Sequence, residues 1–97
     1  MEAHYQIIAE QLHAACPKGY TRAWVEAEVS SSSSNKKYWC EVDGNEFQPE
    51  TDGLTDLKVT RALIAVREAM GGNEANWSDC TFTLTADGSF KLDIHYD

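Results

Sequence analysis

Asp93, His95 and Asp97 alternate near the end of the chain, a spacing that would set two carboxylates and an imidazole on one side of an extended strand. Such a trio could hold a metal ion or exchange protons as acid and base. An alternating polar strand face gives the same spacing with no chemistry attached. No further His or Cys at ligand spacing joins the trio, since His4 and His13 lie on or near a first helix and complete no cluster. The chain has no glycine-rich phosphate loop, no G-x-S-x-G elbow and no Walker pattern. The sequence therefore assigns no catalytic residue, no metal ligand and no cofactor, and it predicts a protein that is not an enzyme.

A different set of residues suits binding. Trp24, Glu26 and Glu28 share one phase of a strand, and Trp39, Glu41 and Asp43 share one phase of another. Thr81, Thr83, Lys91, Asp93 and His95 fall on the matching phase of two later strands. Tryptophan buries a large area at little entropic cost, and carboxylates beside it can pair with arginine or lysine of a basic partner. From Glu41 to Asp56 the chain holds Glu41, Asp43, Glu46, Glu50, Asp52 and Asp56 with no Lys or Arg. Solvated faces and helix N-termini produce such runs too. The formal net charge is −8, which repels nucleic-acid phosphates and anionic membranes and leaves a basic protein partner, or solubility alone. Candidate partner-binding residues are thus Trp24, Glu26, Glu28, Trp39, Glu41, Asp43 and Glu46.

Three cysteines, Cys16, Cys40 and Cys80, form an odd count without CxxC spacing. Cys40 and Cys80 sit on the apolar phase of strands, so they are expected as buried, reduced thiols and not as disulfide partners or metal ligands. The N-terminus opens on polar residues and Glu2 where a signal peptide would have a basic and then an apolar stretch. No run reaches membrane-spanning length. A cytoplasmic protein is expected.

These residues need a scaffold, and 97 residues suffice for one domain, 1–97, with a single core. Tyr5, Ile8, Leu12 and Ala15 recur at helical spacing until Pro17 blocks continuation. Arg22 to Val29 alternates, with Ala23, Val25, Ala27 and Val29 inward. Ser30 to Asn35 reads as a polar loop, and Lys37 to Asp43 as a second strand with Tyr38, Cys40 and Val42 inward. A short piece around Phe47 could add a strand. A helix over about Leu54 to Met70 carries Val59, Ala62, Leu63, Val66 and Met70 in one stripe, with Gly71-Gly72 as its stop. Leu57 and Ile64 lie off that stripe, and one of them is expected to pack under a neighbour. One apolar stripe per helix and one apolar face per strand predict an α+β domain of order α-β-β-(β)-α-β-β. Its antiparallel sheet has four to five strands, with both helices packed on one face.

The final hairpin is the most regular segment. Cys80, Phe82 and Leu84 share a face with Phe90, Leu92, Ile94 and Tyr96, all even-numbered, so paired residues must sum to an even number. A two-residue Asp87-Gly88 loop would set Leu84 against Lys91. A three-residue loop, Ala86-Asp87-Gly88, pairs Leu84 with Phe90 and gives Gly88 the left-handed position of a bulged turn.

Trp77, Phe82-Thr83-Leu84, Asp87-Gly88, Phe90-Lys91-Leu92-Asp93 and Tyr96-Asp97 together resemble the C-terminal signature of the YezG-like immunity proteins. Relatives continue past this hairpin into a Trp-containing tail, where the present sequence ends at Asp97. Members of that family are small bacterial proteins that neutralise a cognate toxin, often a nuclease, by binding it. The resemblance implies a stoichiometric blocker of a toxin domain; the net charge of −8 makes a basic domain the expected partner, and a monomer or weak dimer is expected. The competing expectation is a small acidic scaffolding module with an unrelated protein partner.

Overall fold

Apolar residues two apart build the sheet, and apolar residues three and four apart build its cover. The computed structural model describes residues 2–29, 34–70 and 79–95. Along the chain come α1 (Glu2–Ala15), β1 (Arg22–Val29), β2 (Ser34–Val42), β3 (Asn45–Phe47), α2 (Gly53–Met70), β4 (Asp79–Thr85) and β5 (Phe90–His95). The strands form one antiparallel sheet in the order β3-β2-β1-β4-β5. The α+β architecture expected from the pattern is the one observed, with β3 as a genuine fifth strand.

The inward residues of β1 and of β4 are buried in strict alternation. They meet Ile8, Ala9 and Leu12 of α1 and Val59, Ala62, Leu63 and Val66 of α2 in one cluster. The helices touch each other, with α1 against β1 and β4 and α2 against β1 and β2. Tyr5 closes one end, its ring 6.1 Å from Phe82 and 6.0 Å from Phe90. Of the two off-stripe residues of α2, Ile64 packs on the core and Leu57 stays exposed. The Gly71-Gly72 stop and residues Trp77, Tyr96 and Asp97 lie outside the described residues, as do residues 30–33.

Local chemistry fixes the boundaries. Asp52 caps α2, its Oδ1 accepting the Thr55 N–H at 2.7 Å, and this bond holds its carboxyl below the usual carboxylate range. The β4–β5 hairpin has the expected loop: Leu84 faces Phe90, Thr85 N–H donates to the Ser89 carbonyl at 2.9 Å, and Gly88 has φ 91°. The β2–β3 hairpin uses the same dipeptide differently. Val42 pairs with Asn45 across a two-residue turn in which Asp43 (φ 51°) and Gly44 (φ 81°) are both left-handed. That turn ends β2 at Val42, one residue short of the expected strand. At the other end β2 takes in Ser34 and Asn35, which the polar composition had assigned to a loop.

One expectation is overturned. Cys16 and Cys40 form a disulfide, leaving Cys80 as the free, buried cysteine. Pro17 stops α1 just after Ala15, so the chain turns back and sets Cys16 over β2. The bridge depends on how α1 lies across the sheet, which spacing along the chain does not encode. Cys80 behaves as expected: burial, aided by the Asp79 charge, pushes its thiol up to about 12.

Candidate functional site

The helices cover one face of the sheet and no described helix covers the other, so even-numbered side chains of β1 and odd-numbered ones of β2, β4 and β5 form an outer surface. Register places these residues in rows. One row runs Glu46, Glu41, Arg22, Thr85, and the next runs Trp39, Trp24, Thr83, Lys91. Below them lie Lys37, Glu26, Thr81, Asp93 and then Asn35, Glu28, Asp79, His95. Among these residues six carboxylates stand against three permanent cations, so the face is negative.

Trp24 and Trp39 form the centre. They are cross-strand partners, their rings 6.0 Å apart and inclined by 12°. Such stacking adds about 0.5–1.5 kcal/mol beyond area burial. Both are half-buried, so each ring still shows surface to a partner. The Trp39 Nε1–H is buried without an acceptor among the described residues. An orphaned donor costs on the order of 1–3 kcal/mol, a cost that a phenylalanine at this position would avoid.

Arg22, which the sequence reading left out of the site, organises the upper row. Its guanidinium lies 4.6 Å from the Trp24 ring centre, Nε is 3.4 Å from Glu41 and Nη2 is 3.2 Å from Glu46. The Thr21 hydroxyl also donates to Glu41 at 2.8 Å, and this bond with Arg22 holds the Glu41 carboxyl below its ordinary range. The signal for Arg22 is its place on the even phase it shares with Trp24, Glu26 and Glu28.

The structure brings Trp24, Glu26, Trp39, Glu41 and Glu46 together, with Glu28 at the lower end of the same face. Asp43 departs from this set, because it occupies the β2–β3 turn and not a strand position. Glu41 and Glu46 are already engaged by Arg22. Among the described residues Glu26 and Glu28 carry no ion pair. Asp93 pairs with Lys91 at 3.2 Å, and His95 Nε2 lies 3.3 Å from the Thr81 hydroxyl. His13 Nδ1 lies 2.9 Å from the Tyr20 hydroxyl, on the helix side. Asp97 is outside the described residues, and among those described no group of three His, Cys, Asp or Glu side chains could hold a metal. No described helix is long and apolar enough to cross a membrane.

No family model matches the chain. The immunity protein YezG of Bacillus spizizenii is similar to it, at 25% identity over 107 residues that take in 96% of this chain. The match spans 66% of the relative, so the chain corresponds to about two thirds of that protein's length. This likeness extends well beyond the final hairpin and supports a distant YezG-like relationship.

Proposed function

We propose that this protein is a non-enzymatic immunity protein that neutralises a basic bacterial toxin domain by occluding it through the outer sheet face. The observation that supports the reading is the stacked, half-buried Trp24–Trp39 pair set among carboxylates on the face that no described helix covers. The tryptophans serve as anchors that a partner surface buries, and Glu26 and Glu28 supply unpaired negative charge beside them. Glu41 and Glu46, held by Arg22, shape the upper rim. A toxin that acts on nucleic acid must present cations to phosphates, and a −8 chain offers those cations a competing polyanion. Nothing in this mode of action requires turnover, a cofactor or a membrane. We place the protein in the cytoplasm, where it would meet such a toxin and where the reducing poise opposes the Cys16–Cys40 bridge.

The test is titration against the product of the neighbouring gene, at low and at high salt, read by calorimetry for stoichiometry and by stopped flow for rate. The reading expects one-to-one binding whose association slows as salt screens the steering field. Absence of binding to that product would favour the scaffolding alternative.

A further inference from the structure

The two edges of the sheet differ. On one side β3 is three residues long and is followed closely by Pro49, a blunted edge. On the other, β5 is six residues long, free of proline and in unbroken register with β4, and no described strand pairs with its outer side. Hydrogen-bond parity shows what that side offers. Thr85 N–H donates to the Ser89 carbonyl, so the odd residues of β5 turn their main-chain groups toward β4. The amides and carbonyls of Phe90, Leu92 and Ile94 therefore point outward. Their side chains, on the helix face, are only partly buried at this margin.

We propose that β5 pairs antiparallel with β5 of a second copy of this chain, about a two-fold axis at Leu92. That register opposes Leu92 to Leu92, Phe90 to Ile94 and Lys91 to Asp93. Its three even-numbered pairs exchange both main-chain bonds, so every outward group of Phe90, Leu92 and Ile94 is satisfied. On the outer face Lys91 and Asp93, already 3.2 Å apart within one strand, meet their counterparts as a closed ring of alternating charge. Shifting the axis by one residue either way opposes Lys91 to Lys91 or Asp93 to Asp93, which costs energy. An axis between residues would set apolar side chains against polar ones. The result is one continuous sheet with all helices on one side and both Trp24–Trp39 pairs on the other. This pairing rests on the edge strand alone and is independent of what the tryptophan face binds.

Sedimentation equilibrium on the full chain tests it, with Lys91→Asp and Asp93→Lys alongside wild type. Both side chains are exposed, at 74% and 44%, so each variant should keep its fold, which circular dichroism checks. Wild type should show a concentration-dependent monomer–dimer equilibrium. Each single variant places like charges opposite one another twice and should weaken the dimer about tenfold. An equimolar mixture of the two variants recreates both Lys–Asp pairs and should restore association as a heterodimer. Wild type that stays monomeric at the highest concentration would overturn the proposal. So would a dimer indifferent to either substitution, or a mixture that associates no better than its components.

Discussion

Lys36 Nζ lies 3.2 Å from Asp56 Oδ1, joining the start of β2 to the first turns of α2 with the lysine side chain only 1% exposed. The ammonium also donates to the Ser34 carbonyl at 3.1 Å and to the Ser34 and Thr60 hydroxyls, and Tyr38 donates to Asp56 at 3.1 Å. Burial, reinforced by the Asp56 charge, raises the Tyr38 phenol well above its ordinary value. Asp56→Ala should therefore cost more than its own half-exposed contacts suggest, on the order of 1–3 kcal/mol, because it strands a buried cation. Adding Lys36→Met should recover part of that loss. Urea melts of the single and double variants decide it, and simple additivity would show that the two groups are not coupled.

The cysteines give a countable outcome. Denatured without reductant, the chain should expose one reactive thiol, Cys80, and after reduction three. The sequence separation of 24 between Cys16 and Cys40 makes the bridge worth about 3–4 kcal/mol by the loop-entropy estimate. Reduction should lower the melting temperature accordingly. In the folded state Cys80 should resist alkylation at neutral pH, since burial keeps it as the thiol.

The β4–β5 turn should respond to substitution and to acid. A Cβ at Gly88 would meet nothing within 4 Å, so Gly88→Val is penalised through the backbone alone, by about 1–3 kcal/mol. Gly88→Asn should be milder, because asparagine tolerates the left-handed region. Asp87 accepts from the Ser89 hydroxyl and N–H and from the Thr85 hydroxyl, which lowers its pKa from 3.8 to about 2. A depressed folded pKa contributes stability that is full above 3.8 and drains as pH falls toward 2. Thermal melts across that window should show wild type losing more than Asp87→Ala. Asp52 and Glu41 are shifted in the same direction and should add to the acid sensitivity.

Periodicity made the fold legible where apolar phase was continuous. Parity from Leu84 to Phe90 chose the three-residue loop, and an antiparallel sheet of four to five strands followed from the faces that alternate. The same Asp-Gly dipeptide at Asp43-Gly44 does not read as a turn from the sequence pattern. Asp43 continues the alternating polar phase of β2, which hides the turn even though a short strand around Phe47 is expected beyond it. Lys36 was missed for the opposite reason: a lysine on the inward phase reads as the end of a strand, and only Asp56 and Thr60 of α2 make its burial affordable. Trp24 and Trp39 were visible as outward aromatics. Their stacking needed the β1–β2 register, as did the position of Arg22 over Trp24.

Charge on the outer face should divide by role. Glu26→Ala and Glu28→Ala remove carboxylates without an ion pair and should slow association with little effect on folding. Glu41→Ala leaves Arg22 and the Thr21 hydroxyl without an acceptor they share, so it should alter the rim as well as the rate. Stopped-flow association rates with matched melts separate the two effects.

The proposed binding face is tested most directly by the affinity of wild type, Trp24→Ala and Trp39→Ala for the product of the neighbouring gene at one fixed salt concentration. Each substitution should weaken binding by at least about 2 kcal/mol, roughly thirtyfold, while the protein remains folded. Binding that survives both substitutions unchanged would contradict the assignment of the Trp24–Trp39 face as the interface.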